Sequence, residues 1–105
     1  MYLLTTEFIP GEEIQALGLV KGSTIQTVNA FKDIGASFKT IVGGELRNYT
    51  QMMDEARRIA TDRMVFEAQS LGADAIVGVR YATSAIMASA AEVMAYGTAV
   101  KIINR

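Results

Sequence analysis

The segment from Tyr49 to Leu71 limits the possible folds more than any other part of the chain. Tyr49, Met52, Met53, Ala56, Ala60, Met64 and Leu71 recur at helical spacing, the pattern of a helix with one face turned to a core. Ile59 and Phe66 widen the stripe on one edge, giving more apolar surface than a single small sheet needs. Arg63 and Glu67 lie near the middle of the stripe, one turn apart. Arg before Glu is the weaker order for an isolated i,i+4 pair, which marks the two as a candidate intersubunit ion pair. Gly72 stands where a left-handed residue ends a helix.

Strand-like segments flank this helix. Tyr2–Thr6 reads as a short strand and Pro10-Gly11 as a turn. Residues 14–28 have strand composition, and Gly18 and Gly22 within them suggest one long bent strand or two short ones. After Gly72 a strand places Ala75, Val77, Val79 and Tyr81 on one face. Small residues from Ser84 to Ala91 connect it to a last strand, Glu92–Ile103.

Between residues 29 and 42 the pattern predicts a first helix. Asn29 suits its N-cap, and Phe31, Ile34, Phe38, Ile41 and Val42 recur at offsets 0, 3, 7, 10 and 11. Gly35 inside that stripe implies close approach to another element. Gly43 and Gly44 then read as a helix–helix turn, with Gly43 as the left-handed stop. Asn48, with Gln51 three residues later, suits the cap of the long helix, and a start nearer Gly44 is the alternative. A phosphate loop would join a strand to a helix and carry Lys-Ser or Lys-Thr after its glycines; Glu45 follows here. The order β-β-α-α-β-β predicts an α+β fold, with two helices packed on an antiparallel sheet and one domain over residues 1–105.

Composition narrows function by exclusion. Half of the 105 residues are hydrophobic, and a chain this short cannot hide that much apolar surface alone. Burial between copies is the expected outcome. Ten basic and eleven acidic residues give a net charge of −1, with no basic block, so nucleic acid and anionic membrane surfaces are not expected partners. No secretory leader pattern or membrane-length apolar run is visible, and a cytoplasmic location is expected.

The absence of Cys and His excludes disulfides, thiolate sites and imidazole catalysis. Met52, Met53, Met87 and Met94 offer thioethers suited to Cu(I), but methionine in apolar stripes reads first as core filler. Glu12-Glu13 and Asp54-Glu55 read as solvated charge. No metal site and no cofactor are expected. None of the nucleophile or phosphate motifs occurs, so no catalytic residue is assigned. An enzyme, as the alternative, would use Arg80 and Glu92, which a hairpin centred near Ile86 would set opposite each other. Tyr96 lies further along the Glu92 face.

The stretches LGLVKGSTIQTVNAFKDIGASFKTIVGG, LGADAIVGVRY and EVMAYGTAV together resemble the YbjQ-like family of small prokaryotic proteins. The resemblance covers roughly Leu17 to Val100 in the family's order and spacing. It implies a compact subunit similar to dodecin-like subunits, assembled into a homopentameric ring. The family carries a label for heavy-metal binding, which would make this chain a metal-binding protein. Its polar motif positions are Asn29, Lys32, Asp33, Arg80 and Glu92, the candidate binding or intersubunit residues. The expected function is therefore a non-catalytic ring that binds a small polar or anionic ligand between subunits.

Overall fold

The structure is a computed structural model that describes residues 1–27, 41–42, 45–87 and 90–103. In chain order the elements are β1 (Tyr2–Leu3), β2 (Glu13–Thr27), β3 (Ile41–Val42), β4 (Glu45–Leu46), α1 (Arg47–Ser70), β5 (Ala75–Met87) and β6 (Ala90–Ile103). One sheet has the order β1-β5-β6-β2, and β3 and β4 form a separate two-stranded ribbon. The α+β class agrees with the sequence pattern. The sheet, however, is mixed rather than antiparallel, because β1 runs parallel to β5. Alternation along a strand shows which residues share a face, but not which neighbour it pairs with.

α1 packs across β2 and β6. Its buried residues are Met52, Ala56, Ala60, Met64 and Ala68, so the stripe is as expected except at its end. Ala68 joins the core, whereas Leu71 is exposed. Alanines let the helix come close, and Gly22 of β2 completes the fit. A Cβ there would lie 2.3 Å from both the Ala60 carbonyl oxygen and the Met64 nitrogen. Backbone meets backbone at that point, and only glycine leaves room. The helix begins at Arg47, so Asn48 falls inside its first turn rather than at its cap. It ends as expected: the Ala73 N–H bonds the Ala68 carbonyl at 3.1 Å, and Gly72 has φ +76°.

β2 is one long strand, bent by a bulge between Ala16 and Gly18. A second bulge in β5, where Gly78 has φ +63°, lies between Val77 and Arg80. It overturns the expectation that Ala75, Val77, Val79 and Tyr81 share a face. Ile76 and Val79 join the core under α1, while Ala75 and Val77 pack with Ile9 and Val100 on the opposite face. An extra residue in a period-two element exchanges its faces.

Two further expectations are corrected. Ile41 and Val42 are a strand rather than the end of a helix, and they pair antiparallel with Leu46 and Glu45. Extended chain therefore flanks Gly43-Gly44, and the helix–helix turn is not supported by its neighbours. Gly43, Gly44 and the rest of the expected first helix lie outside the described residues. A β-branched pair such as Ile-Val fits either period, and pairing across the glycines decides between them. The Ser84–Ala91 connection is also shorter than expected, since β5 runs to Met87 and β6 starts at Ala90.

Candidate functional site

The hairpin register sets where the polar candidates sit. Arg80 lies opposite Tyr96, and Ser84 lies opposite Glu92. The hairpin is therefore centred two residues beyond Ile86, and Arg80 and Glu92 are not opposite each other. Four residues of strand separate their rows, about 13 Å. The Arg80 guanidinium instead donates through Nη1 to the carbonyls of Thr5, at 3.0 Å, and Val79, at 2.9 Å. It thereby holds the chain leaving β1 against the rim of the sheet. Asn29, Lys32 and Asp33 lie outside the described residues.

On the face away from α1 the register lines up Lys21, Tyr96 and Arg80 in one row across β2, β6 and β5. The flanking residues Val20, Ala95 and Val79 point into the helix-side core, which places the row on the opposite face. Among the described residues, neither the Lys21 ammonium nor the Arg80 guanidinium forms an ion pair with a carboxylate. Arg57, Arg58 and Lys101 do, with Asp54, with Glu55 and Asp62, and with Asp74. Lys21 escaped sequence reasoning because its place in the row depends on the bulge at Gly18 and the hairpin register together.

Arg63 and Glu67 both reach β2 rather than each other. The Lys21 N–H donates to Glu67 Oε1 at 2.9 Å, and Arg63 Nη1 donates to the Ser23 carbonyl at 2.7 Å. Alternate residues of an antiparallel strand turn both backbone groups away from their partner. Lys21 and Ser23 are such residues on the open side of β2. Two helix side chains thus close part of an edge that would otherwise be free to pair. The wide stripe with charges inside it belongs to this edge.

A cleft of about 180 Å³ opens at the hairpin end, between the start of α1 and the β5–β6 tip. Tyr49, Met52 and Met53 line it from the helix, and Ala85, Met87, Ala90 and Ala91 line it from the strands. Three of the four methionines that could offer thioethers to a soft metal meet here. Met94 lies in the row with Ser23 and Ala82, on the other face of the sheet. The described residues contain no group of three or more Asp, Glu, His or Cys that could hold an ion. Together with a sequence lacking Cys and His, this donor set does not fit zinc or another divalent heavy metal. Thioether sulfur is the soft donor that remains.

At the helix exit, the Ile102 N–H donates to Asp74 Oδ2 at 2.8 Å, and Lys101 Nζ lies 3.4 Å from Asp74 Oδ1. The Ile102 amide, aided by Lys101, holds the Asp74 carboxyl below its ordinary value. The hydrogen bond from Arg58 likewise lowers Glu55. Both carboxyls are stabilised as anions, so neither is held in the protonated form that a general acid needs. No helix among the described residues is long and apolar enough to cross a membrane.

Residues 1–103 match a family described as "Putative heavy-metal-binding". The UPF0145 protein of Clostridium novyi is 63% identical over 103 residues, covering 98% of this chain and 100% of that one. The UPF0145 protein of Methanosarcina acetivorans is 53% identical over 106 residues, with each chain covered fully. A crystal structure from Pediococcus pentosaceus, of a protein of unknown function in the DUF74 family, superposes with a TM-score of 0.67 at 20% identity. It covers 98% of both chains and shows the fold alone. With its order of elements, its sheet and its nearly full-length match, the chain belongs to the YbjQ family.

Proposed function

We propose that this protein is a non-catalytic subunit of a homopentameric ring that binds a small anionic ligand on the sheet face turned away from α1. The carrying observation is that the sheet has two different open edges among its described residues. One is the outer side of β2. The other is β5 beyond Val79, where the hydrogen bonds from the β1 chain end. Joining unlike edges makes a head-to-tail contact, which closes into a ring when the rotation between copies divides the circle and otherwise runs on as a filament. Exposed Leu19 and Ile25 on β2, and exposed Tyr81 and Ile86 on β5, supply apolar surface to such joints. The row of Lys21, Tyr96 and Arg80 supplies positive charge for the ligand. An enzyme built on Arg80 and Glu92 is disfavoured by their separation.

Light scattering on the purified chain tests the assembly. The expected mass is about five times the 11.3 kDa subunit, and a monomer at micromolar concentration overturns the ring. Titration with inorganic phosphate tests the ligand. Binding that weakens in Lys21→Gln supports the row, and the absence of saturable binding removes it.

A further inference from the structure

We infer that Met52, Met53 and Met87 form a thioether site for a soft monovalent cation, Cu(I) or Ag(I). The site does not require ring assembly, since one chain supplies all three methionines. Two adjacent helix positions and the last residue of β5 bring these side chains to a single cleft. Sequence spacing does not bring Met87 near the other two; the hairpin register does. The other three methionines lie elsewhere: Met1 precedes β1 and is exposed, Met64 is fully buried in the core under α1, and Met94 is on the opposite face. Simple core filling leaves no space beside the side chain, as at Met64. Here the described residues leave an open cleft of about 180 Å³ beside the side chains, walled by the small Ala85, Ala90 and Ala91.

The cleft's chemistry selects the ion. Neutral, polarisable thioethers favour Cu(I) and Ag(I) over zinc, magnesium or calcium. Among the described residues, those lining the cleft are apolar apart from the Tyr49 hydroxyl and include no carboxylate, which gives a divalent ion no compensation for its lost hydration. Met52 is 4% exposed and Met87 is 63% exposed, so the three residues grade from the floor of the cleft to its open mouth. The Tyr49 ring in the same cleft adds an aromatic face suited to a cation. A thioether has no proton to release, so binding here is independent of pH, unlike binding to thiolate, imidazole or carboxylate.

The test is titration of the full chain with silver nitrate in chloride-free buffer, followed by calorimetry and native mass spectrometry. The expected result is saturable uptake of one Ag(I) per chain, unchanged from mildly acidic to neutral pH. It should be lost in the triple variant Met52→Leu, Met53→Leu, Met87→Leu, whose side chains keep nearly the same volume. Met94→Leu should retain it. The single variant Met87→Leu changes a side chain at the exposed mouth and should weaken uptake even if the triple variant does not fold. No saturable uptake, uptake that survives Met87→Leu undiminished, or equal uptake of zinc overturns the site.

Discussion

The first five residues of β5, Ala75–Val79, are buried except for the half-buried Gly78, whereas the next eight, Arg80–Met87, are all exposed. The first stretch has β1 on one side and β6 on the other. It also has the core under α1 on one face and the Ile9 cluster on the other. The second keeps β6 alone, because the neighbouring chain turns away after the Thr6 carbonyl accepts the Gly78 N–H. α1, centred on β2 and β6, barely reaches β5. One strand thus passes from an interior element to a free edge within a residue or two. Burial is decided by neighbours rather than by strand composition. Ile86 and Met87 are as apolar as Ile76 and Val77, but they stay exposed.

This contrast can be broken from the buried end first. Gly22→Ala places a methyl group against helix backbone that cannot step aside. We expect a loss of about 3 kcal/mol in urea unfolding; a neutral result would mean that α1 can lift from β2 at little cost. At the exposed end, Ile86→Glu should leave the circular dichroism of the subunit unchanged and reduce the scattering mass of the assembly. An unchanged mass would place the joint elsewhere. Arg63→Met removes the bond to the Ser23 carbonyl and reopens part of the β2 edge. Because the groups are exposed, the expected loss is at most about 1 kcal/mol, accompanied by a greater tendency to aggregate.

The smallest effect concerns Asp74, which fastens the helix exit to the end of β6. Its carboxyl is held below the ordinary value chiefly by the Ile102 amide. The unfolded state therefore takes up its proton first as pH falls. The stabilisation is complete above the ordinary carboxylate range and is lost as pH drops through the lowered native value. Asp74→Asn should flatten that part of the acid stability profile, measured by thermal unfolding across the acid range. A profile identical to the parent would assign the acid sensitivity to other groups.

The long helix was legible because its apolar residues repeat at one period over more than five turns, with Gly72 as its stop. The strands of β2, β5 and β6 were legible from β-branched runs. Errors arose where one residue changes the phase. The bulge at Gly78 moved Val77 away from Val79, and a hairpin two residues longer at its tip moved Glu92 away from Arg80. Ile41–Val42 was too short to distinguish a helical stripe from a strand. In the candidate site, Arg80, Glu92, Met52, Met53 and Met87 were visible as residue types, but their groupings were not.

The sequence by itself determined what chemistry is possible: with no Cys and no His, thiolate and imidazole functions are closed to this chain. It also determined the main elements, because hydrophobic periods of 3.6 and 2 are local properties that each segment carries alone. Tertiary structure alone decided which residues meet. Lys21 joins Tyr96 and Arg80, Met87 lines one cleft with Met52 and Met53, and Arg63 with Glu67 closes part of the edge of β2. Those groupings depend on strand register and on a helix resting against a single glycine. Both are fixed by long-range pairing and close packing, which no local window of sequence contains.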